Sequence, residues 1–139
     1  MIFVSLTRLR IRSWLYLPPF AFHAIRANRQ IKQAPGFLSG KLLPDQNFTF
    51  WTMTSWTDQE SMRLYMTSGA HKAAMPHLMR WCDEASVAHW QQDETTLPSW
   101  QEADLRMRET GRVSKVNNPS PNHASLTYKK PRTTGGGAI

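Results

Sequence analysis

Apolar and polar residues alternate along residues 2–13, which is the pattern of a β-strand with two different faces. One face carries Phe3, Ser5, Thr7, Leu9 and Ile11, and the other changes from Ile2, Val4 and Leu6 to Arg8, Arg10 and Arg12. Apolar residues then recur at helical spacing over 20–34, between Pro18-Pro19 and Pro35-Gly36. The chain is therefore predicted to begin with a strand followed by a helix.

The middle of the chain predicts a hairpin and a second helical region. Aromatic and β-branched residues indicate strands at 37–43 and 48–56, with a turn over 44–47 between them. Thr57 and Glu60 have the spacing of a capping box, which predicts that a helix begins there. Ser68-Gly69 is expected to break that helix, and Pro76 to begin a separate one over 76–83.

The last elements predicted are a strand over 85–91 and a helix over 100–110, which opens on the capping pair Ser99 and Glu102. The order is β-α-β-β-α-β plus a C-terminal helix, which is typical of an α+β, ferredoxin-like fold with a four-stranded antiparallel sheet. Helices on one face of such a sheet leave the other face bare. We therefore expect a homodimer that seals the two bare faces.

The charge is unevenly distributed. The 139 residues carry a net charge of +7, but residues 1–111, the expected single domain, hold only +2. Residues 112–139 hold the remaining +5 without one acidic residue, and are rich in Pro, Ser, Asn, Thr and Gly. This composition predicts a basic, disordered tail. Nucleic-acid binding through the folded part is therefore disfavoured.

Three further features bound the class of protein. The single cysteine excludes a disulfide framework. Because no apolar stretch is long enough to span a bilayer either, the sequence favours a cytoplasmic protein. The aromatic segment 14–22, WLYLPPFAF, could rest on a membrane surface or be buried against the fold or a partner subunit. No zinc spacing, phosphate loop or nucleophile elbow is present.

Residues 2–91 resemble the antibiotic-biosynthesis monooxygenase-like family of the dimeric α/β-barrel superfamily. The resemblance rests on the strings FVSLTRLRI, APGFLSGKLL and FTFWTMTSWTDQESMRLYMTSGAHKAAM. Their specific features are a strand ending in Trp56, a capped helix carrying Tyr65, and His71 after a small-residue break. More distant similarity extends to haem-degrading and spheroidene-monooxygenase-type members.

The resemblance implies an oxygenase that acts on a hydrophobic or aromatic small molecule in a pocket between helices and sheet. His71, Tyr65, Trp56 and Thr7 are the expected catalytic residues, and Trp51, Arg8, Arg10 and Trp81 the expected substrate contacts. In the haem-degrading branch a His in the position of His71 ligates the iron. Tyr65 and Thr7 stand where that branch has Trp and Asn, so we expect no cofactor, with haem as the alternative.

Other interpretations stay open at this point. Each candidate side chain has an ordinary structural role available: a hydrogen-bonded His71, tryptophans in the core, and a solvated end of the first strand for the arginines. A dimeric scaffold or ligand-binding protein without catalysis is therefore the alternative to an enzyme. A third hypothesis is that the basic segments bind nucleic acid or a membrane surface.

Overall fold

The computed structural model describes all 139 residues as one antiparallel sheet with helices on both faces. The six strands are β1 (Ile2–Ile11), β2 (Phe37–Asp45), β3 (Thr49–Trp56), β4 (Cys82–Gln92), β5 (Arg112–Val113) and β6 (Gly137–Ala138). The helices are α1 (Leu17–Lys32), preceded by a 3-10 turn at Trp14–Tyr16, then α2 (Gln59–Met66), α3 (Gly69–Trp81) and α4 (Trp100–Thr110). The strand order is β5-β4-β1-β3-β2-β6. The α+β fold and the predicted order of elements are confirmed.

Strand β1 lies at the centre of the sheet, paired with β3 on one side and β4 on the other. Its two faces are those that the alternation predicts. Phe3 packs with Ile31 of α1 and Met62 of α2, and Leu78 of α3 packs against the cluster of Ile11, so this face is covered by α1, α2 and α3. The opposite face, with Val4 and Leu6, packs against α4.

The sheet face that was expected to be bare is covered by the chain itself. Trp100, Ala103 and Met107 form an apolar stripe on α4 and pack on Leu6, Trp51 and neighbouring strand residues. Leu126 and Tyr128 add to the same cluster. The surface that predicted a homodimer is therefore largely internal.

The structure also differs from the expected four-stranded sheet and disordered tail. The segment 112–139 supplies β5, which pairs with β4, and β6, which pairs with β2. Its apolar residues are too widely spaced to show a period, but Val116, Tyr128 and Ile139 each pack against a core cluster. This segment is held by contacts with distant parts of the chain, which a local sequence pattern does not reveal.

Two predicted boundaries are wrong. Helix α3 continues through Pro76. Pro76 has no N–H to donate to the Lys72 carbonyl, but both residues are exposed, so water can replace the missing hydrogen bond. The cap of α2 is Asp58, not Thr57: its carboxylate accepts from the Ser61 N–H at 2.7 Å. The cap at Ser99 is confirmed, with its hydroxyl accepting from the Glu102 N–H.

No helix combines the length and the hydrophobicity that crossing a bilayer requires.

A buried ionic network joins β1, β4 and the C-terminal segment. Arg8 donates to Glu84 at 2.7 Å, and the Ser120 hydroxyl donates to the other oxygen of the same carboxylate. Tyr128 lies between two guanidinium groups, 4.4 Å from that of Arg8 and 4.1 Å from that of Arg108. Its hydroxyl donates to Asp104 at 2.7 Å. Tyr128 thus fastens the C-terminal segment over the sheet.

We predict that Tyr128→Ala lowers the free energy of unfolding by about 2–4 kcal/mol, because it removes a packed ring and both cation–π contacts. Tyr128→Phe, which loses only the hydrogen bond to Asp104, should cost about 1 kcal/mol. Urea unfolding followed by circular dichroism measures both. Lys130→Ala, at an exposed position of the same segment, is the control. Equal stability of Tyr128→Ala and the parent protein would contradict the docked position of this segment.

Candidate functional site

A cavity of about 600 Å³ lies between the sheet and helices α1, α2 and α3. Small side chains line both of its walls: Ala21, Ala24 and Ala27 on α1, and Ser5 and Thr7 on β1. Large side chains close the two ends, with Ile31, Trp56 and Met62 at one and Phe20, Phe50 and Leu78 at the other. Small residues between large ones leave a space that the side chains do not fill. Its volume is in the range of small-molecule sites.

The lining is mostly apolar and contains a few polar groups. Four methionines contribute to it: Met62, Met66, Met75 and Met79. Thr7 and Thr52 lie directly opposite each other on β1 and β3, so their side chains are neighbours on this face. Asn28 and His71 enter from the helices. An apolar space with few polar groups suits a hydrophobic ligand that carries one or two oxygens.

His71 is held in a defined orientation and tautomer. Its Nδ1 lies 3.1 Å from the carbonyl oxygen of Met66, which can only accept, so Nδ1 carries the proton. In the neutral ring Nε2 is then left with a free lone pair. Burial lowers the pKa of His71, and the hydrogen bond to Met66 opposes this shift only in part. The imidazole is therefore a neutral base beside the cavity.

The break between α2 and α3 sets the position of His71, and Gln30 of α1 holds that break together. The Gln30 side-chain N–H donates to the Ser68 carbonyl at 2.8 Å and to that of Tyr65 at 3.3 Å. Its Oε1 accepts from the His71 backbone N–H at 2.8 Å. Gly69 has φ +55°, which the turn requires and which favours glycine. Gln30 was not singled out from the sequence, because its three partners lie 35 or more residues away.

Tyr65 and Trp56 form the wall beside His71. The Tyr65 ring lies 4.9 Å from the His71 ring and 5.4 Å from that of Trp56. The Tyr65 hydroxyl donates to the Ala27 carbonyl, and the Trp56 indole N–H donates to Thr54. Burial raises the pKa of Tyr65 to about 12, so it stays protonated. Both side chains therefore shape the cavity, with their N–H and O–H groups directed to protein acceptors.

The structure brings together the four residues expected to be catalytic, because Thr7, Trp56, Tyr65 and His71 all line the cavity. Of the four expected substrate contacts, Trp51 alone borders the cavity. Arg8 and Arg10 lie on the other face of β1, paired with Glu84, and Arg10 also with Asp83. Consecutive strand residues face opposite ways, so Thr7 and Arg8 cannot both point into one pocket.

The two tryptophans expected to contact substrate also point away from the cavity. Trp51 borders it, but its indole donates to Asp45 and packs against Tyr128 on the α4 side. Trp81 stacks on His77, with ring centroids 5.1 Å apart, and on Tyr16. The indoles of both residues are therefore engaged with protein groups outside the cavity.

Haem is a poor match to the lining. The two carboxylates of haem need cations, and Lys115 is the one lysine or arginine in the cavity wall. Arg8 and Arg10, which could have served, lie on the far side of the sheet. No cluster of three or more His, Cys, Asp or Glu side chains is arranged to hold a metal ion. The residues that line the cavity therefore do not fit haem.

Solved structures with the same fold include several oxygenases. SnoaB from Streptomyces nogalater, a cofactor-independent oxygenase, matches with a TM-score of 0.56 and 16% identity over 70% of this chain and 97% of its own. A putative antibiotic biosynthesis monooxygenase from Nitrosomonas europaea gives 0.58 and 10% identity, over 69% of this chain and 94% of that chain. A conserved protein from Methanosarcina mazei Go1 gives 0.60 and 11% identity, over 67% and 94%.

These structures confirm the resemblance to the antibiotic-biosynthesis monooxygenases at the level of fold. A search of curated proteins found no match. At the level of sequence, the model of one family matches residues 20–135, which is most of the chain. The protein therefore belongs to the family described as a domain of unknown function, DUF3291.

Proposed function

We propose that the protein is a cofactor-independent oxygenase for an electron-rich, hydrophobic aromatic molecule, with His71 as the base. The observation that carries this proposal is the oriented, neutral imidazole beside an apolar cavity of about 600 Å³. The oxygenase from Streptomyces nogalater, which has the same fold, supports the reaction class. The homodimer remains a prediction, and its interface would have to lie outside the sheet face that α4 covers.

The chemistry can be written for anthrone, a tricyclic ketone with an acidic CH₂ group. Nε2 of His71 removes a proton from that carbon, and the resulting anion adds to O₂ to give a hydroperoxide after protonation. Loss of water then yields anthraquinone, with one oxygen atom in the new carbonyl and the other in water. Thr7 and Thr52 offer hydroxyls that can hydrogen-bond the ketone oxygen as it gains charge. The apolar walls exclude water from the anion.

We predict that the protein converts anthrone to anthraquinone and that His71→Ala lowers kcat at least 100-fold, since general-base catalysis contributes about that much or more. His71→Asn should lose as much, although its amide N–H can still donate to the Met66 carbonyl. His77→Ala, on the same helix but outside the cavity, is the matched control and should keep its activity. Oxygen uptake and quinone absorbance, corrected for the uncatalysed rate, measure the turnover.

Binding of anthraquinone separates catalysis from ligand binding. The dissociation constant should change less than about threefold in His71→Asn, because apolar contacts dominate the affinity. Binding without turnover in the parent protein would contradict the oxygenase and leave the ligand-binding alternative. If the parent protein neither bound anthraquinone nor turned over anthrone, both the oxygenase and the ligand-binding alternative would be contradicted for this class of molecule.

The proposed role of His71 also predicts how the activity depends on pH. The pKa of His71 lies below its ordinary value of 6.5 because burial disfavours the cation. Activity should therefore reach its full value within about one pH unit above 6.5 and fall as the pH drops through the lowered pKa, since imidazolium cannot accept a proton. A profile of kcat/KM against pH measures this limb, which should be missing from any residual activity of His71→Asn. An acidic limb centred above 6.5 would contradict the assignment of His71 as the base.

A further inference from the structure

The exposed side of α1 carries large apolar residues beside arginines. Phe22, Ile25, Arg26 and Arg29 follow the i, i+3, i+4, i+7 spacing of one helical stripe, and all four are exposed. Trp14 and Leu15 stand at the N-terminal end of α1 and are 67% and 62% exposed. Phe22 and Ile25 are also more than half exposed, at 58% and 55%. We call this set of six residues, with the exposed cations Lys32, Lys72 and Arg80, the α1–α3 surface.

The charge of the α1–α3 surface has one sign. Helix α3 packs beside α1 and contributes Lys72 and Arg80, both exposed, while α1 adds Lys32. No acidic residue occurs in residues 1–44 or in 61–82, so neither helix carries an anion that could neutralise these cations. Apolar side chains among unpaired cations are typical of helices that lie on anionic lipid.

The cavity reaches the same surface. Ala21 and Ile25 of α1 and Met75 of α3 line the cavity and are also exposed to solvent. An opening between α1 and α3 at these residues would connect the cavity to whatever covers the surface. A hydrophobic ligand could then enter without crossing water.

We propose that the α1–α3 surface docks on an anionic lipid bilayer, from which the cavity takes its hydrophobic ligand. The delivery of a ligand rests on the proposed function, whereas the docking does not. A second copy of the chain is a poor occupant, because two surfaces of the same charge would repel each other. A nucleic acid would pair with the arginines but would leave the aliphatic Leu15 and Ile25 in water, whereas lipid accepts both kinds of group.

Flotation of the full-length protein with lipid vesicles tests the docking. The protein should float with vesicles of phosphatidylcholine containing about 30% phosphatidylglycerol and much less with phosphatidylcholine alone, because the anionic surface attracts the arginines. Arg26→Gln with Arg29→Gln should weaken the partition at least tenfold, since each charge near the surface is worth about fivefold. Trp14→Ser with Phe22→Ser should weaken it by a similar factor at unchanged charge.

The matched control is Lys129→Gln with Lys130→Gln, which removes the same charge from exposed positions of the C-terminal segment and should keep the binding. Absence of flotation with anionic vesicles would overturn the proposal. Loss of binding in the Lys129 and Lys130 variant alone would also overturn it, by assigning the contact to the C-terminal segment. The proposal would also be overturned if the protein did not bind vesicles but bound a single-stranded RNA oligonucleotide in a way that depends on Arg26 and Arg29. The vesicles contain no anthrone, so this result is independent of the turnover test in solution.

Discussion

The central strand β1 must have both of its faces covered, and the rest of the structure depends on how this is done. Paired on both edges with β3 and β4, it presents Phe3 to one layer of helices and Val4 and Leu6 to another. Burial of such side chains contributes roughly 1.5–3 kcal/mol each, so neither face can stay in water. Helices α1, α2 and α3 cover one face, and α4 and the C-terminal segment cover the other.

The two coverings differ in how tightly they pack, and this difference produces the candidate site. The α4 side is filled by large side chains, among them Trp51, Met53, Trp100 and Met107. On the same side, the buried ion pair between Arg8 of β1 and Glu84 of β4 packs beneath the Tyr128 ring. The opposite side has alanines and hydroxyl side chains at its middle, so the helices bridge a space instead of filling it. The break between α2 and α3, held by Gln30, brings His71 to the edge of that space.

Local patterns predicted much of this fold, because its strands and helices have clear periods. Alternation in β1 assigned both faces, and capping at Ser99 located the start of α4. The same alternation separates Thr7 from Arg8, so the sequence already contained the reason why the arginines cannot share a pocket with His71. The role of Gln30 and the position of Tyr128 could not be predicted, because both depend on partners far away in the chain.

The methionines offer the most direct test of the account, since they report on the two sides of the sheet separately. Met62, Met66, Met75 and Met79 line the cavity, whereas Met53 and Met107 lie in the cluster under α4. With ¹³C-labelled methyl groups, titration with anthraquinone should shift the signals of the first four and leave those of Met53 and Met107 in place. Shifts confined to Met53 and Met107, or no shifts at saturating ligand, would contradict a binding site between the sheet and helices α1 to α3.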